Sequence, residues 1–245
     1  MIAKFGELKK IMKKKNDFTA VDFHDNIVTE FDSKYSKSKS FRQRFQVWDS
    51  LFKKYLDANM SVLDLGCGTG VFSFLVAKIS SKIVGIDGSE KMISYCKQLA
   101  KTNKLENVEF QVMEIPSDLE KISSKFNIIY SSSVFEYLDN LEITLTECNK
   151  LLKDDGFLIV SVPNSDSIFR KVEKVAFKLF KFPNYYSFVK HTFNYDEFKR
   201  KFKDSGFELV EIEYYGNTGM ILLLARLFFN FRFTNNLMVG VFKKC

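Results

Sequence analysis

The chain has 245 residues, 46% of them hydrophobic and 27% charged, with a net charge of +7. That much apolar material lets one domain, or one domain with an appendage, bury a core without staples, and it excludes disordered, collagen-like and low-complexity architectures. The four cysteines (Cys67, Cys96, Cys148, Cys245) are spaced too widely for a CxxC metal or redox pair. Reduced thiols of this kind fit a cytoplasmic setting, and the opening MIAKFGELKKIMKKK lacks the apolar run and cleavage site of a secretory signal.

The positive charge is concentrated in residues 1–15, 167–190 and 216–245, and the rest of the chain is net acidic. A nucleic-acid binder would carry its basic charge as a coherent face and lean on the arginine fork, whereas here 31 lysines stand against six arginines. Nucleic acid is therefore not expected as a partner.

In chain order, residues up to about 58 read as helical, with Phe41, Phe45, Trp48, Leu51, Phe52 and Tyr55 recurring every three or four positions. Strand and helix signals then alternate. Ser61–Leu65 is a buried strand, followed by a glycine-rich turn and a helix over Val71–Ile79. Lys82–Asp87 is a second strand, and Ser89–Asn103 a helix with Ser89 as its N-cap. Val108–Val112, Phe126–Ser131 and Phe157–Val162 follow as strands, the last preceded by a turn at Asp154–Gly156. This rhythm predicts an α/β fold with a doubly wound, mostly parallel sheet and right-handed crossovers.

In such sheets ligands sit beyond the carboxyl ends of the strands, so the loop after the first strand is where chemistry is sought. That loop is Asp64-Leu-Gly66-Cys67-Gly68-Thr-Gly70. Alternate glycines permit a tight turn and close backbone approach, but there is no lysine for a triphosphate, and Val71 stands where a dinucleotide motif needs its third glycine. Asp87, 21 residues after Gly66, closes the second strand, where a carboxylate can accept both hydroxyls of a ribose. The competing role for Asp87 is to cap the following helix.

Taken together, VLDLGCGTG, GIDGSEKM, FNIIYSSSVFEYL and LLKDDGFLIVSVPN resemble the class I S-adenosylmethionine-dependent methyltransferases, strongly over about residues 28–165. The resemblance implies a seven-stranded Rossmann-like sheet with an antiparallel last strand and S-adenosylmethionine as cofactor. It also implies an enzyme of small-molecule biosynthesis. Carried over by residue, Asp64, Gly66, Cys67, Gly68 and Gly70 would cradle the amino-acid moiety, and Asp87 with Gly88 the ribose. In EFQVMEIPSDL, Glu114 would face the adenine amino group, Ile115 would offer its N–H to the ring, and Ser131 or Ser132 would lie under the methionine. Tyr35 resembles the tyrosine of an N-terminal cap that closes over the cofactor.

The departures from the family are informative. Asn127 and Asp155 replace a usual Asp and Gly, changes of scaffold more than of chemistry. The ubiquinone-type O-methyltransferases are a loosely similar subgroup, some of which hold a metal with a Glu…Glu-His cluster. Here Ser133…Glu136-Tyr137 stand in those places, so no metal is expected.

Methyl transfer depends mostly on positioning, and a base is needed only for a protonated acceptor. His191, in KHTFNYDEF before a helix expected near Asp196, stands where relatives place a histidine near the acceptor; packing under that helix is the competing role. His24, beside Asp25, is read as solvated.

On a wheel of about 100° per residue, Ile168, Phe169, Val172, Val175, Ala176, Leu179, Phe180 and Phe182 share one arc, and Arg170, Lys171, Lys174, Lys178 and Lys181 the other. Such a stretch is either a lid whose apolar face covers the site or a helix lying on an anionic membrane. The run Met220–Phe229 adds a second apolar, basic segment, too short to span a bilayer. Peripheral membrane contact through 168–182 and 220–233 is thus one expectation, the acceptor being small or lipid-linked and most naturally methylated on oxygen. The chain is parsed as a helical cap over 1–58 and a methyltransferase domain over 59–245, with a helical insertion at 165–193. Two other classes share part of the pattern: a non-catalytic cofactor-binding protein, and a nicotinamide-dependent oxidoreductase that would want GxGxxG and a hydride-site pair. Oligomeric state is not readable from the sequence.

Overall fold

The structure is a computed structural model and describes residues 38–180, 184–216 and 230–245. Seven strands, β1 (Ser61–Leu65), β2 (Lys82–Asp87), β3 (Val108–Val112), β4 (Phe126–Ser132), β5 (Leu152–Pro163), β6 (Phe207–Tyr215) and β7 (Leu237–Lys244), form one sheet in the order β3-β2-β1-β4-β5-β7-β6. β1 to β5 pair in parallel, and β7 runs antiparallel to both of its neighbours. The strand order reverses between β1 and β4, which makes their carboxyl ends the ligand-binding crevice of this architecture.

The described helices are α1 (Lys39–Tyr55), α2 (Val71–Val76), α3 (Glu90–Thr102), α4 (Leu141–Leu151), α5 (Ile168–Phe180), α6 (Tyr195–Lys203) and the single turn α7 (Phe231–Thr234). Successive side chains of a strand point to opposite faces, and both faces here are covered. Val62 and Ile128 join a core cluster around Trp48 and Phe52 of α1. Leu63, Leu65 and Ile129 join the opposite cluster, with Leu145 and Cys148 of α4 and Phe198 and Phe202 of α6. Trp48 is fully buried against Phe72 and Tyr130, and its indole N–H donates to the Tyr215 hydroxyl at 3.3 Å. The helical periodicity read over Phe41–Tyr55 is therefore that of a helix laid on the sheet, while residues 1–37 of the expected cap lie outside the described residues.

Caps set the helix starts. Ser89 accepts from the Met92 N–H at 3.1 Å as expected, and Asn194 forms a capping box with Glu197 that starts α6. Two local expectations are corrected. The helix after β1 ends at Val76, three residues early. The Asp154–Gly156 turn is absorbed into β5, which begins at Leu152; the register against β4 shifts between Phe126 and Ile128, and Asp155 takes φ 63°. A left-handed residue explains why glycine is usual there, and Asp is among the residues that tolerate it. Asn127 accepts hydrogen bonds from the Ser61 N–H and from Lys153, a scaffold role.

Candidate active site

β1 ends in a loop whose backbone is left-handed, the region that favours glycine, at three places: Gly66, Gly68 and Gly70 have φ of +75°, +54° and +75°. The N–H groups of Gly66 and Cys67 both donate to the Ile86 carbonyl at 2.8 and 2.9 Å, and the Gly68 N–H donates to Asp87 Oδ2 at 2.9 Å. The loop is thereby pinned to the carboxyl end of β2. A Cβ added at Gly66 would come within 2.3 Å of Val134 Cγ2, whereas one added at Gly68 would meet no atom within 4 Å. The glycine loop thus packs on one side against the turn after β4 and leaves its Gly68 face open. The Thr69 hydroxyl, in the same loop, is buried without a hydrogen-bond partner.

Asp87 is shared between two backbone donors, since its Oδ1 also accepts from the Ser89 N–H at 2.9 Å. Ser89, not Asp87, caps α3. Gly88 forms the bend between them, and the Met113 N–H donates to the Asp87 carbonyl at 3.0 Å, drawing the loop after β3 alongside. That loop carries Glu114, exposed, with its N–H on Asp118 Oδ2, and the half-buried Ile115 before a cis bond to Pro116. The structure therefore fastens the glycine loop to Asp87 and Gly88 and brings the segment carrying Glu114 and Ile115 alongside.

Asp64 lies deeper. Its Oδ2 accepts from the Ser73 hydroxyl at 2.6 Å and the Tyr130 hydroxyl at 2.7 Å. Burial pushes its carboxyl up to about 7, against the pull of those two hydrogen bonds. The Tyr130 phenol is driven well above its usual range by the same burial and by the Asp64 charge. Cys67 is buried beside Cys96, whose thiol donates to the Gly68 carbonyl at 3.2 Å, and burial raises the Cys67 thiol as well. Ser131 is fully buried and donates its hydroxyl to the Leu65 carbonyl at 2.9 Å, fastening β4 to β1. The neighbouring Ser132 is gripped by Arg44 of α1, which donates to its hydroxyl and carbonyl.

Beyond β4, the 3-10 turn Phe135–Tyr137 buries Glu136. Its carboxyl is pushed up to about 7 by burial, its own backbone N–H and the Arg44 and Arg170 guanidinium groups pulling the other way. The N–H groups of Lys190 and His191 both donate to the Glu136 carbonyl, at 2.7 and 3.1 Å, and the His191 ring Nε2 donates to the Leu138 carbonyl at 2.9 Å. Tyr35 and His24 lie outside the described residues. Among the described residues no group of three or more His, Cys, Asp or Glu could hold a metal ion.

Arg44, Tyr130, Ser73 and Arg170 were not singled out by sequence reasoning as site residues. The available signal was the rarity of arginine: in a chain with only six, the charges of two bear on one buried carboxylate.

The insertion after β5 overturns one expectation. Arg170, on the basic arc of the wheel, is only 7% exposed: it donates to Glu173 at 2.8 Å, to the Tyr185 hydroxyl at 3.0 Å and to the Asn236 carbonyl at 3.1 Å. The apolar arc faces outward instead, with Val172, Leu179 and Phe180 at 60%, 66% and 76% exposure. Helical spacing puts Arg170, Glu173 and Phe177 on one side, and their partners, among them Tyr186 against Phe177, turn that side inward.

A mostly parallel sheet with a left-handed glycine loop after its first strand and a carboxylate at the end of its second has the arrangement in which α/β folds bind nucleosides. A family model described as a methyltransferase domain matches residues 56–210, and the chain belongs to that family. It is an S-adenosylmethionine-dependent methyltransferase with a Rossmann-like fold. Among curated relatives, it is 32% identical over 106 residues to the ubiquinone biosynthesis O-methyltransferase of Pelagibacter ubique, covering 43% of each chain. It is also 32% identical over 133 residues to the ribosomal protein L11 methyltransferase of Dictyoglomus turgidum, covering 53% of this chain and 42% of that one. The matches span less than half the length of these relatives. Among solved structures, the magnesium protoporphyrin IX methyltransferase of Synechocystis PCC 6803, with bound SAH, superposes with a TM-score of 0.66 over 97% of this chain and 100% of that one, at 17% identity. The possible histamine N-methyltransferase of Thermotoga maritima gives 0.61 over 90% and 96%, also at 17% identity. At such identities the likeness is one of fold. The residues present fit the cofactor: Gly68 leaves its face open, the Thr69 hydroxyl is unpartnered, and Asp87 presents a carboxylate at the end of β2.

Proposed function

We propose that the chain transfers a methyl group to a hydroxyl oxygen of a small, lipid-like acceptor, which it meets at an anionic membrane surface. Bound S-adenosylmethionine supplies an electrophilic methyl on a sulfonium, and the residues supply position. In this reading Asp87 and Gly88 hold the ribose, and Glu114 with the Ile115 N–H meets the adenine. Asp64, Gly66, Cys67, Gly68, Gly70 and Ser131 form the floor under the methionine. His191 is read as the anchor of the turn that carries Glu136, since its Nε2 is committed to the Leu138 carbonyl and its backbone to Glu136. Oxygen as the target agrees with the named activity of the Pelagibacter relative.

The observation that carries the membrane reading is the outward apolar stripe of α5, Ile168, Val172, Val175 and Leu179, with Lys171, Lys174 and Lys178 along one flank. Burying apolar side chains in the acyl boundary while each lysine gains about 1 kcal/mol near an anionic surface is how an interfacial helix binds. No described helix is long and apolar enough to cross a membrane. Of the second segment, only 230–233 lies within the described residues; there Phe231 and Phe233 are exposed. Cosedimentation with phosphatidylglycerol vesicles tests the reading. The wild-type chain should pellet at low ionic strength and be released by salt, and the Val172→Glu, Leu179→Glu double variant should stay in solution. A wild-type chain that fails to pellet at low ionic strength refutes it.

A further inference from the structure

Among the described residues, besides the Thr69 hydroxyl of the glycine loop, two buried polar atoms at the carboxyl end of the sheet have no partner: Glu136 Oε2 and Arg170 Nε. Both side chains are more than nine-tenths buried, at 3% and 7% exposure. Glu136 sits two residues beyond Val134, the side chain that packs on Gly66, so its turn adjoins the cofactor loop. Arg170 reaches the region from the carboxyl end of β5, its two terminal nitrogens already used by Glu173, Tyr185 and Asn236. An unpartnered buried carboxylate oxygen or guanidinium N–H costs a fold free energy, which a ligand can return.

We infer that Glu136 and Arg170 are the polar anchor of the methyl acceptor, and that the group they take is a hydroxyl. The inference rests on the oxygen-acceptor reading above and deepens it. One orphan is an acceptor and the other a donor, so the matching group must donate and accept at once. An ammonium donates only and would meet the guanidinium groups of both Arg44 and Arg170, each of which acts electrostatically on Glu136. A phosphate or carboxylate accepts only and would meet the Glu136 charge. A phenol or alcohol gives its O–H to Glu136 Oε2 and receives the Arg170 Nε–H on the same oxygen. During transfer the O–H bond breaks with its proton passing to Glu136. The oxygen's electron pair forms the new bond to carbon while the carbon–sulfur pair returns to sulfur, so no oxidant or reductant is required.

The test is calorimetric and uses the full chain saturated with S-adenosylhomocysteine, so that it reads binding and not turnover. Octylcatechol is titrated as the hydroxyl probe, with octylbenzene and octylamine as probes lacking it. The wild-type chain should bind octylcatechol more tightly than either control. Glu136→Gln and Arg170→Gln should each weaken octylcatechol by at least about tenfold, the cost of one unpaired buried group. S-adenosylhomocysteine affinity and octylbenzene binding should hold. The inference is overturned if octylcatechol binds no better than octylbenzene, if octylamine binds best, or if Glu136→Gln leaves octylcatechol unchanged. It is also overturned if S-adenosylhomocysteine affinity falls in step, which marks a structural role. Vesicle binding by the wild-type chain reports separately on the membrane reading, so either can fail alone.

Discussion

Replacing Gly68 by Ala separates the glycine loop's structural role from its ligand-binding role. The residue has φ +54°, so an L side chain is strained there whatever the space, at a cost of about 1–2 kcal/mol. Its Cβ meets no atom within 4 Å, so no steric cost is added. For a domain of this size each kcal/mol lowers the melting temperature by roughly 2–4 °C, which predicts a fall of about 2–8 °C. Gly66→Ala carries the same kind of strain at φ +75°, and its Cβ would also stand 2.3 Å from Val134 Cγ2. Overpacking of that kind adds about 1–3 kcal/mol, so Gly66→Ala should melt lower than Gly68→Ala. Ligand binding should differ just as clearly. The new methyl of Gly68→Ala projects into the open face that the methionine would occupy, so S-adenosylhomocysteine affinity should drop by about tenfold or more, from both lost contact and lost space. Differential scanning fluorimetry and titration calorimetry on the two variants read both quantities. The reasoning fails if Gly68→Ala binds S-adenosylhomocysteine like the wild-type chain, or if it destabilises the fold as much as Gly66→Ala.

Three further outcomes follow from the same geometry. Asp64 is raised from 3.8 to about 7 in the folded chain, so the folded state binds its proton more tightly than the unfolded state does. Its contribution to stability is present below pH 4 and is lost as pH rises to about 7, by at most roughly 4 kcal/mol. Asp64→Asn, which keeps an acceptor for Ser73 and Tyr130, should therefore flatten the fall in melting temperature between pH 5 and 8; an unchanged pH profile would contradict the assigned burial. Trp48→Ala removes the fully buried ring that fastens α1 to β4 and β6 and should cost about 3–5 kcal/mol in urea unfolding; a loss below about 1 kcal/mol would show that α1 is not part of the core. Arg44→Lys should weaken S-adenosylhomocysteine binding, because a lysine cannot reproduce the fork held on the Ser132 hydroxyl and carbonyl; equal affinity would show that this clamp does not shape the site.

How much of this was legible in the sequence depended on whether the signal was local. β1, β2 and β3 begin and end at the residues expected, because a buried parallel strand is a short apolar run bounded by turn residues. The glycine loop and Asp87 were equally plain, since left-handed backbone and a carboxylate at a strand end leave marks at fixed spacing. For α5 the sequence left a lid and a membrane face both open, because amphipathicity says that two faces differ, not which one the neighbours will take. Tyr185 and Asn236, 15 and 66 residues away, supply the polar partners that draw Arg170 inward and turn the apolar stripe out. Glu136 enters the sequence reading only as one letter of a degenerate metal motif. Its meaning depends on Arg44 and Arg170 arriving from elements far apart in sequence, which no spacing rule predicts.

The central claim is that the loop of residues 64–70 and the carboxylate of Asp87 form the cradle for the cofactor's sulfonium nucleoside. A crystal structure of the chain grown with S-adenosylhomocysteine tests it directly. The account predicts the ribose hydroxyls within hydrogen-bonding distance of Asp87, the amino-acid portion over the open face of Gly68, and the adenine beside Glu114 and Ile115. Density for the nucleoside anywhere else, or a ribose out of hydrogen-bonding distance of Asp87, would contradict it.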